Sequence, residues 1–269
     1  MDYIEIDGHK LHLFKDGNER KPKLVFMSGS GTVSPVYDFK ILYEKLVSDF
    51  RIIVIEKFGY GCSDLYEAPC DIDSVVSYQR KALEKAGKRD LLFLGRIPCR
   101  GWKQKYPDEV SAIIGLDMAV PSTYLTWSRE QIDQRIHFMK RMRTLNKLGM
   151  LFWYPLSRRG LSRDEIRHQR LLRKRNAMNP CYENEAKAVL ENAKTVHAAG
   201  IIDCPILMFV SDGRQVSSGW IEHEKTFAEQ TNAKTVFLNC GHYIHYYESE
   251  RISREIRAFV NQTVEYGKK

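Results

Sequence analysis

The chain has 269 residues, a hydrophobic content of 43%, a charged content of 28% and a formal net charge of +8. This length can bury a large core, and both fractions are ordinary for a soluble globular protein. No apolar run approaches the roughly 18 residues that a membrane-spanning helix needs, and the acidic, alternating N-terminus does not resemble a signal peptide. We therefore expect a cytoplasmic protein with no membrane partner.

The positive charge does not by itself indicate a nucleic-acid partner. Much of the excess lies in one stretch, residues 158–175, which carries eight lysines and arginines. No aromatic residues alternate with these charges in the way that nucleic-acid-binding motifs show, so we interpret the stretch as a solvated helix face. We expect no nucleic-acid partner.

The cysteines stand singly along the chain, without C-x-x-C spacing. They are Cys62, Cys70, Cys99, Cys181, Cys204 and Cys240. This distribution argues against a zinc site and against a disulfide framework, and it favours free thiols in a reducing compartment.

The first 120 residues alternate between predicted strands and helices. An Asp7-Gly8 turn between two alternating runs predicts a hairpin. The nearly continuous β-branched run Arg51–Glu56 is typical of a strand covered on both faces, as in parallel sheets. Strands are predicted at Tyr3–Ile6, Lys10–Phe14, Lys23–Met27, Arg51–Glu56, Asp90–Leu94 and Ala112–Leu116, and helices at Tyr37–Leu46 and from Asp73 onward.

The pattern changes after Pro121. Residues 121–200 have helical periodicity and many charges but no strand pattern, whereas strands return at Pro205–Val210 and Thr235–Leu238, before a last helix at Glu250–Val260. The predicted fold class is therefore α/β, with a mostly parallel eight-stranded sheet covered by helices on both faces. Residues 1–120 and 201–269 would form the core, and 121–200 an inserted helical cap.

Four short segments follow the ends of predicted strands in a characteristic order. They are Ser28-Gly29-Ser30-Gly31, the glycine-rich Phe58–Asp64, Ser211-Asp212-Gly213 and Cys240-Gly241-His242. Over nearly the whole chain this order resembles the α/β-hydrolase superfamily, specifically the small bacterial hydrolases related to proline iminopeptidases and haloperoxidase-like esterases. The resemblance implies hydrolysis of a small-molecule ester or amide through an acyl-serine intermediate, with no metal and no organic cofactor.

The resemblance also implies roles for individual residues. His242 would be the general base, and Asp212 would orient its imidazole and stabilise it when protonated. The amides near Gly29 and Ser30 would bind the developing oxyanion, since glycine at 29 and 31 lets the backbone approach the substrate closely.

The nucleophile is missing from this set. Members of the superfamily carry a serine in a Gly-x-Ser-x-Gly turn between the fifth strand and the next helix. No such motif occurs anywhere in the chain, and the corresponding segment is Gly95–Lys103. That segment is short for a helix, and Pro98 and Gly101 do not favour one.

Three explanations are open. Cys99 is a candidate substitute nucleophile, since a thiolate can serve this chemistry. A second explanation is natural loss of catalysis, which would leave a binding scaffold. The third is a shifted reading frame. One permitted set of codons for Gly95–Lys103, read two bases further on, encodes P-H-S-M-S-G-L-E. This string resembles an intact nucleophile elbow, the turn that carries the catalytic serine. We favour the third origin for the disrupted elbow.

Overall fold

A computed structural model describes residues 2–84, 87, 90–95, 97–150 and 156–266. Its sheet has eight strands in the order β1-β2-β4-β3-β5-β6-β7-β8. The first two strands run antiparallel to their neighbours, and the other pairings are parallel. The strands are β1 (Asp2–Ile6), β2 (His9–Asp16), β3 (Lys23–Met27), β4 (Arg51–Glu56), β5 (Leu91–Leu94), β6 (Val110–Leu116), β7 (Ile206–Val210) and β8 (Lys234–Phe237).

Helices cover both faces of this sheet. Along β3, Leu24 and Phe26 pack into one hydrophobic core while Val25 and Met27 pack into the other, because successive strand residues point to opposite faces. The predicted mostly parallel sheet with helices on both faces is confirmed. The helices are α1 (Pro35–Leu46), α2 (Ile72–Ala82), α3 (Ile97–Lys105), α4 (Pro121–Leu125), α5 (Arg129–Lys147), α6 (Arg163–Asn176), α7 (Pro180–Ala198), α8 (Trp220–Thr231), α9 (Ile244–Tyr247) and α10 (Ser249–Tyr266).

The N-terminal hairpin forms where the Asp7-Gly8 turn predicts it. Both turn residues have positive φ, +52° and +77°, and Ile6 pairs with His9 across the turn. Two consecutive residues of positive φ match the twist of the flanking strands, which is why Asp-Gly is favoured there. The hairpin edge then joins the parallel sheet through β2 and β4.

Among the described residues, four helices, α4 to α7, lie between β6 and β7. α5 begins with a capping box formed by Ser128 and Gln131, and α6 with one formed by Ser162 and Glu165, so the local sequence fixes both starts. Residues 151–155 of the predicted cap lie outside the described residues, and the division into core and cap stays a prediction. Among the residues that the structure describes, no helix is long and apolar enough to span a membrane.

The helix after β5 is nine residues long and contains both Pro98 and Gly101. Proline is tolerated because it lies in the first turn, where its missing N–H has no helical partner. Glycine is needed because a Cβ at position 101 would lie 2.6 Å from Cγ1 of Ile72 on α2. This close packing holds the short helix α3 against α2.

Candidate active site

The loops after β3, β5 and β8 and the end of β6 contribute residues to one pocket at the carboxyl edge of the sheet. It is lined in part by Gly29, Gly95, Leu116 and His242. In open α/β sheets, ligands bind at this edge because loops from several strands meet there. His242 lies on the loop between β8 and α9, as the sequence predicts for a general base.

The imidazole of His242 contacts a buried carboxylate. Its Nδ1 lies 2.5 Å from Oδ2 of Asp117, the residue that directly follows β6. The other carboxylate oxygen of Asp117 accepts hydrogen bonds from the backbone N–H of Ser211 at 2.8 Å and from Nε1 of Trp220 at 2.9 Å. A carboxylate at Nδ1 keeps the proton of the neutral imidazole on Nδ1. Nε2 then carries the lone pair that accepts a proton, which is the arrangement that a general base needs.

The predicted partner of His242 was Asp212, and the structure corrects this contact. Asp212 instead accepts hydrogen bonds from the backbone N–H of Arg214 at 3.0 Å and from its guanidinium at 2.7 Å. The reason is local: an aspartate before a turn readily bonds to the backbone two residues on, as the Asp212 carboxylate does here with the N–H of Arg214.

Sequence reasoning missed Asp117, although a signal for it was present. Asp117 directly follows a buried apolar run, just as Asp212 does, and its φ of +47° places it in a tight turn at the strand end. Both aspartates satisfy the rule that functional side chains follow strands at the carboxyl edge.

The glycine-rich loop after β3 lies beside the same pocket. Gly29 lines the pocket together with His242, and Gly31 has a φ of +88°. The backbone N–H of Gly31 donates to the hydroxyl of Tyr60 at 3.3 Å, and Oγ of Ser30 donates to Glu185 at 2.7 Å. The Gly31 amide already has this acceptor, so Gly29 and Ser30 are the better candidates for oxyanion donors, and that role stays a prediction.

The segment after β5 aligns position by position with the Gly-x-Ser-x-Gly motif of the nucleophile elbow. In Gly95-Arg96-Ile97-Pro98-Cys99, Ile97 has the position of the serine and Cys99 that of the second glycine. Cys99 is fully buried, its Sγ is 3.4 Å from Sδ of Met27, and a Cβ on Gly95 would lie 2.7 Å from that Sγ. The thiol therefore packs beneath the turn, which counts against Cys99 as a nucleophile. Arg96 lies outside the described residues.

A buried ion pair borders a second pocket next to Gly29. Nζ of Lys57 lies 2.8 Å from Oε1 of Glu185 and 4.2 Å from the centre of the Tyr60 ring, and the Tyr60 hydroxyl donates to Glu185 at 2.9 Å. The rest of the lining is mostly apolar, including Ile72 and Val75, around a cavity of about 90 Å³. Glu185, from α7, thus links the inserted helices to the loop after β3.

A second buried carboxyl, Asp38, shares the pocket with His242. Burial raises the pKa of the Asp38 carboxyl to about 7, and the hydrogen bond from the Tyr246 hydroxyl, at 2.9 Å, opposes that rise. A carboxyl buried without a cation favours its neutral form in this way. The residue lies in the first turn of α1, on the side of the pocket formed by α1 and the loop after β8.

No family model matches the chain. It is 28% identical to the "Uncharacterized protein YbdG" of Bacillus subtilis (strain 168), over 96% of this chain and 85% of that protein. Its structure is similar to haloalkane dehalogenase DbeA from Bradyrhizobium elkani USDA94, with a TM-score of 0.73, 16% identity and 98% of each chain covered. It is also similar to a carboxylesterase of Nitrososphaera gargenis, with a TM-score of 0.69, 16% identity and coverage of 98% and 99%. The chain has the α/β-hydrolase fold.

Proposed function

We propose that this chain descends from a hydrolase of small esters or amides and that, without a nucleophile, it has little or no turnover. The observation that carries the proposal is the contact between His242 and the buried carboxylate of Asp117, in a pocket that Gly29 also lines. An imidazole held by a buried carboxylate beside a glycine-rich loop is the acid–base half of an acyl-transfer site.

The chemistry of an intact ancestor follows from these positions. A serine at position 97 would attack the substrate carbonyl while Nε2 of His242 accepts its proton. Asp117 would stabilise the imidazolium, and the Gly29 and Ser30 amides would bind the oxyanion. In this chain position 97 is isoleucine, whose hydrocarbon side chain offers no atom that can attack.

The alternative functions are a non-catalytic small-molecule binding scaffold and a hydrolase that uses Cys99. The small apolar pocket beside Lys57 and Glu185 supports the scaffold, because it can hold a ligand without any chemistry. The burial of Cys99 against Met27 argues against the thiol.

Hydrolysis of a p-nitrophenyl ester tests the proposal directly. We expect the chain as given to hydrolyse the ester no faster than its His242→Ala and Cys99→Ala variants. A rate well above both variants would overturn the proposal and assign the reaction to a Cys99–His242 pair. The genomic DNA across codons 90–110 distinguishes a shifted reading frame from a natural loss of catalysis. A shifted frame encodes the missing serine there, and a natural loss does not.

A further inference from the structure

A cluster of metal-ligating side chains lies in a different part of the molecule from the Asp117–His242 pair. Nδ1 of His12 is 2.9 Å from Oε2 of Glu56, and the ligand atoms of His12, Glu56 and Cys62 all lie within 4.8 Å of one another. A pocket of about 430 Å³ opens onto all three, and its lining shares no residue with the two pockets beside Gly29.

The backbone fixes where these three side chains lie. His12 and Glu56 are directly paired across β2 and β4, so their side chains leave the sheet on the same face. Cys62 follows in the turn after β4. Two neighbouring antiparallel strands and the turn that leaves one of them are among the stiffer parts of a fold, which suits a preformed ligand set.

Backbone groups orient the carboxylate of Glu56. The N–H of Cys62 donates to Oε2 at 2.7 Å, and the N–H of Val36 donates to Oε1 at 3.2 Å. A Cβ at position 61 would lie 1.8 Å from Cδ of Glu56, so the carboxylate fills the space that Gly61 leaves. Hydrogen bonds of this kind hold a ligating carboxylate in place and are a regular part of metal sites.

One imidazole nitrogen, one carboxylate oxygen and one thiolate sulfur form a donor set that suits Zn²⁺. In a tetrahedral zinc site, neighbouring ligand atoms lie about 3.4 Å apart, given metal–ligand distances of about 2.0–2.3 Å. The His12–Glu56 contact therefore has to lengthen by roughly half an ångström, and Cys62 has to close in by a rotamer change. The adjoining pocket leaves room for a water molecule as the fourth ligand.

We propose that His12, Glu56 and Cys62 bind a zinc ion, with water as the fourth ligand, and that this ion joins the β1–β2 hairpin to the turn after β4. Binding forms three protein–zinc bonds and releases the proton of the Cys62 thiol to solvent, while the neutral imidazole of His12 binds through Nδ1 and keeps its one proton on Nε2. Cysteine spacing does not reveal such a site, because its ligands come from three separate segments. The sequence-based expectation of no metal rested on the absence of clustered cysteines and on the resemblance to α/β-hydrolases, and the proposed site departs from it.

Titration of the full chain with Co²⁺, a spectroscopic substitute for zinc, tests the site. We expect a thiolate-to-cobalt charge-transfer band that saturates at one ion per chain and disappears when Zn²⁺ is added. Cys62→Ser should abolish the band. Cys70→Ser, which removes another partly buried thiol outside the cluster, should leave it unchanged. The absence of a thiolate band at saturating Co²⁺, or a band that survives Cys62→Ser, would refute the proposal.

A measurement on the unaltered chain decides the matter if Cys62→Ser fails to fold. Alkylation of each cysteine is followed by mass spectrometry with and without Zn²⁺. The expected result is strong protection of Cys62 and none of Cys70, because a zinc-bound thiolate is shielded from the reagent. Equal alkylation of Cys62 in both conditions contradicts the site.

Discussion

At the scale of single residues, Asp117 links three structural elements to the candidate active site. Its side chain is fully buried and contacts the end of β7 through Ser211, α8 through Trp220, and the loop after β8 through His242. A buried carboxylate whose oxygens accept hydrogen bonds in this way stabilises the fold and also orients the imidazole of His242. The residue proposed to support catalysis therefore also holds the site together.

Removing this carboxylate should destabilise the protein. Asp117→Ala leaves the buried N–H groups of Ser211 and Trp220 without their acceptor, which should cost about 2–4 kcal/mol in the free energy of unfolding. Asp212→Ala is the matched control, since among the described residues the Asp212 carboxylate bonds only to exposed Arg214, and its removal should change stability little. Urea denaturation measures both. A larger loss for Asp212→Ala than for Asp117→Ala would show that the two roles are assigned the wrong way round.

Asp38 makes stability depend on pH. Its pKa is about 7 in the folded protein because of burial, whereas an unfolded aspartate has a pKa of about 3.9. The folded state thus binds more protons between about pH 4 and 7, so stability falls as the pH rises through this window. Asp38→Asn keeps an oxygen to accept the Tyr246 hydrogen bond and cannot ionise.

The gain in unfolding free energy from Asp38→Asn should accordingly be larger at pH 8 than at pH 5, by about 2 kcal/mol. Denaturant unfolding at the two pH values measures the difference. Asp212→Asn serves as the control, because the hydrogen bond from Arg214 lowers the pKa of that carboxyl and gives no such gain. An equal gain from Asp38→Asn at both pH values would mean that the buried carboxyl does not titrate in this range.

At the scale of elements, α3 carries a buried guanidinium. Arg100 is 8% exposed, its Nη2 donates to the carbonyl of Gly200 at 2.9 Å, and its Nε has no acceptor among the described residues. Burial lowers the pKa of the guanidinium, which means that the folded state disfavours its charge. A cation without a carboxylate partner is poorly suited to a helix packed against the sheet, and this is consistent with a segment of altered origin.

Replacing this charge with an apolar chain of similar length should stabilise the fold. In Arg100→Met the Gly200 carbonyl keeps a donor, since Nε2 of Gln104 also bonds to it at 2.9 Å. We expect the free energy of unfolding to rise by about 1 kcal/mol, because the cost of burying the charge and the unpaired Nε of Arg100 exceeds what its contacts with the Gly200 carbonyl and the Phe227 ring contribute. Thermal unfolding compares the variant with Arg170→Met, which removes an exposed arginine on α6 and should change the melting temperature little. A lower melting temperature for Arg100→Met would show that its contacts outweigh the burial of its charge.

At the scale of the whole molecule, sequence patterns predicted the sheet better than the site. The β-branched run Arg51–Glu56 forms β4 with the predicted bounds, because a strand buried on both faces has an unbroken apolar pattern. The sequence could not predict which aspartate, Asp117 or Asp212, contacts His242. Both follow buried strands, and only the three-dimensional path of the turns decides which one reaches the imidazole. The His12–Glu56–Cys62 cluster was hidden for a similar reason, because strand pairing brings together residues more than 40 positions apart.

Restoring the elbow separates a damaged enzyme from a binding scaffold. The rate of ester hydrolysis is compared between the chain as given and a restored version. In the restored version, P-H-S-M-S-G-L-E and a full-length helix replace the segment after β5. Members of a catalytic triad act as a unit, so the acid–base pair alone leaves only residual catalysis. We expect only the restored version to hydrolyse short esters.

Within the restored version, the carboxylate contact to His242 identifies the acid. Asp117→Asn should lower the rate by about 10⁴-fold, because the amide favours the wrong imidazole tautomer, while Asp212→Asn should leave it nearly unchanged. A large loss from Asp212→Asn instead would mean that the loop after β7 rearranges when the elbow is whole. Activity of the chain as given at a comparable rate, abolished by Cys99→Ala, would make the thiol the nucleophile and contradict the proposal. If neither version turns over an ester or an amide, the fold serves binding alone, because the acid, the base and the serine would then all be present without producing catalysis.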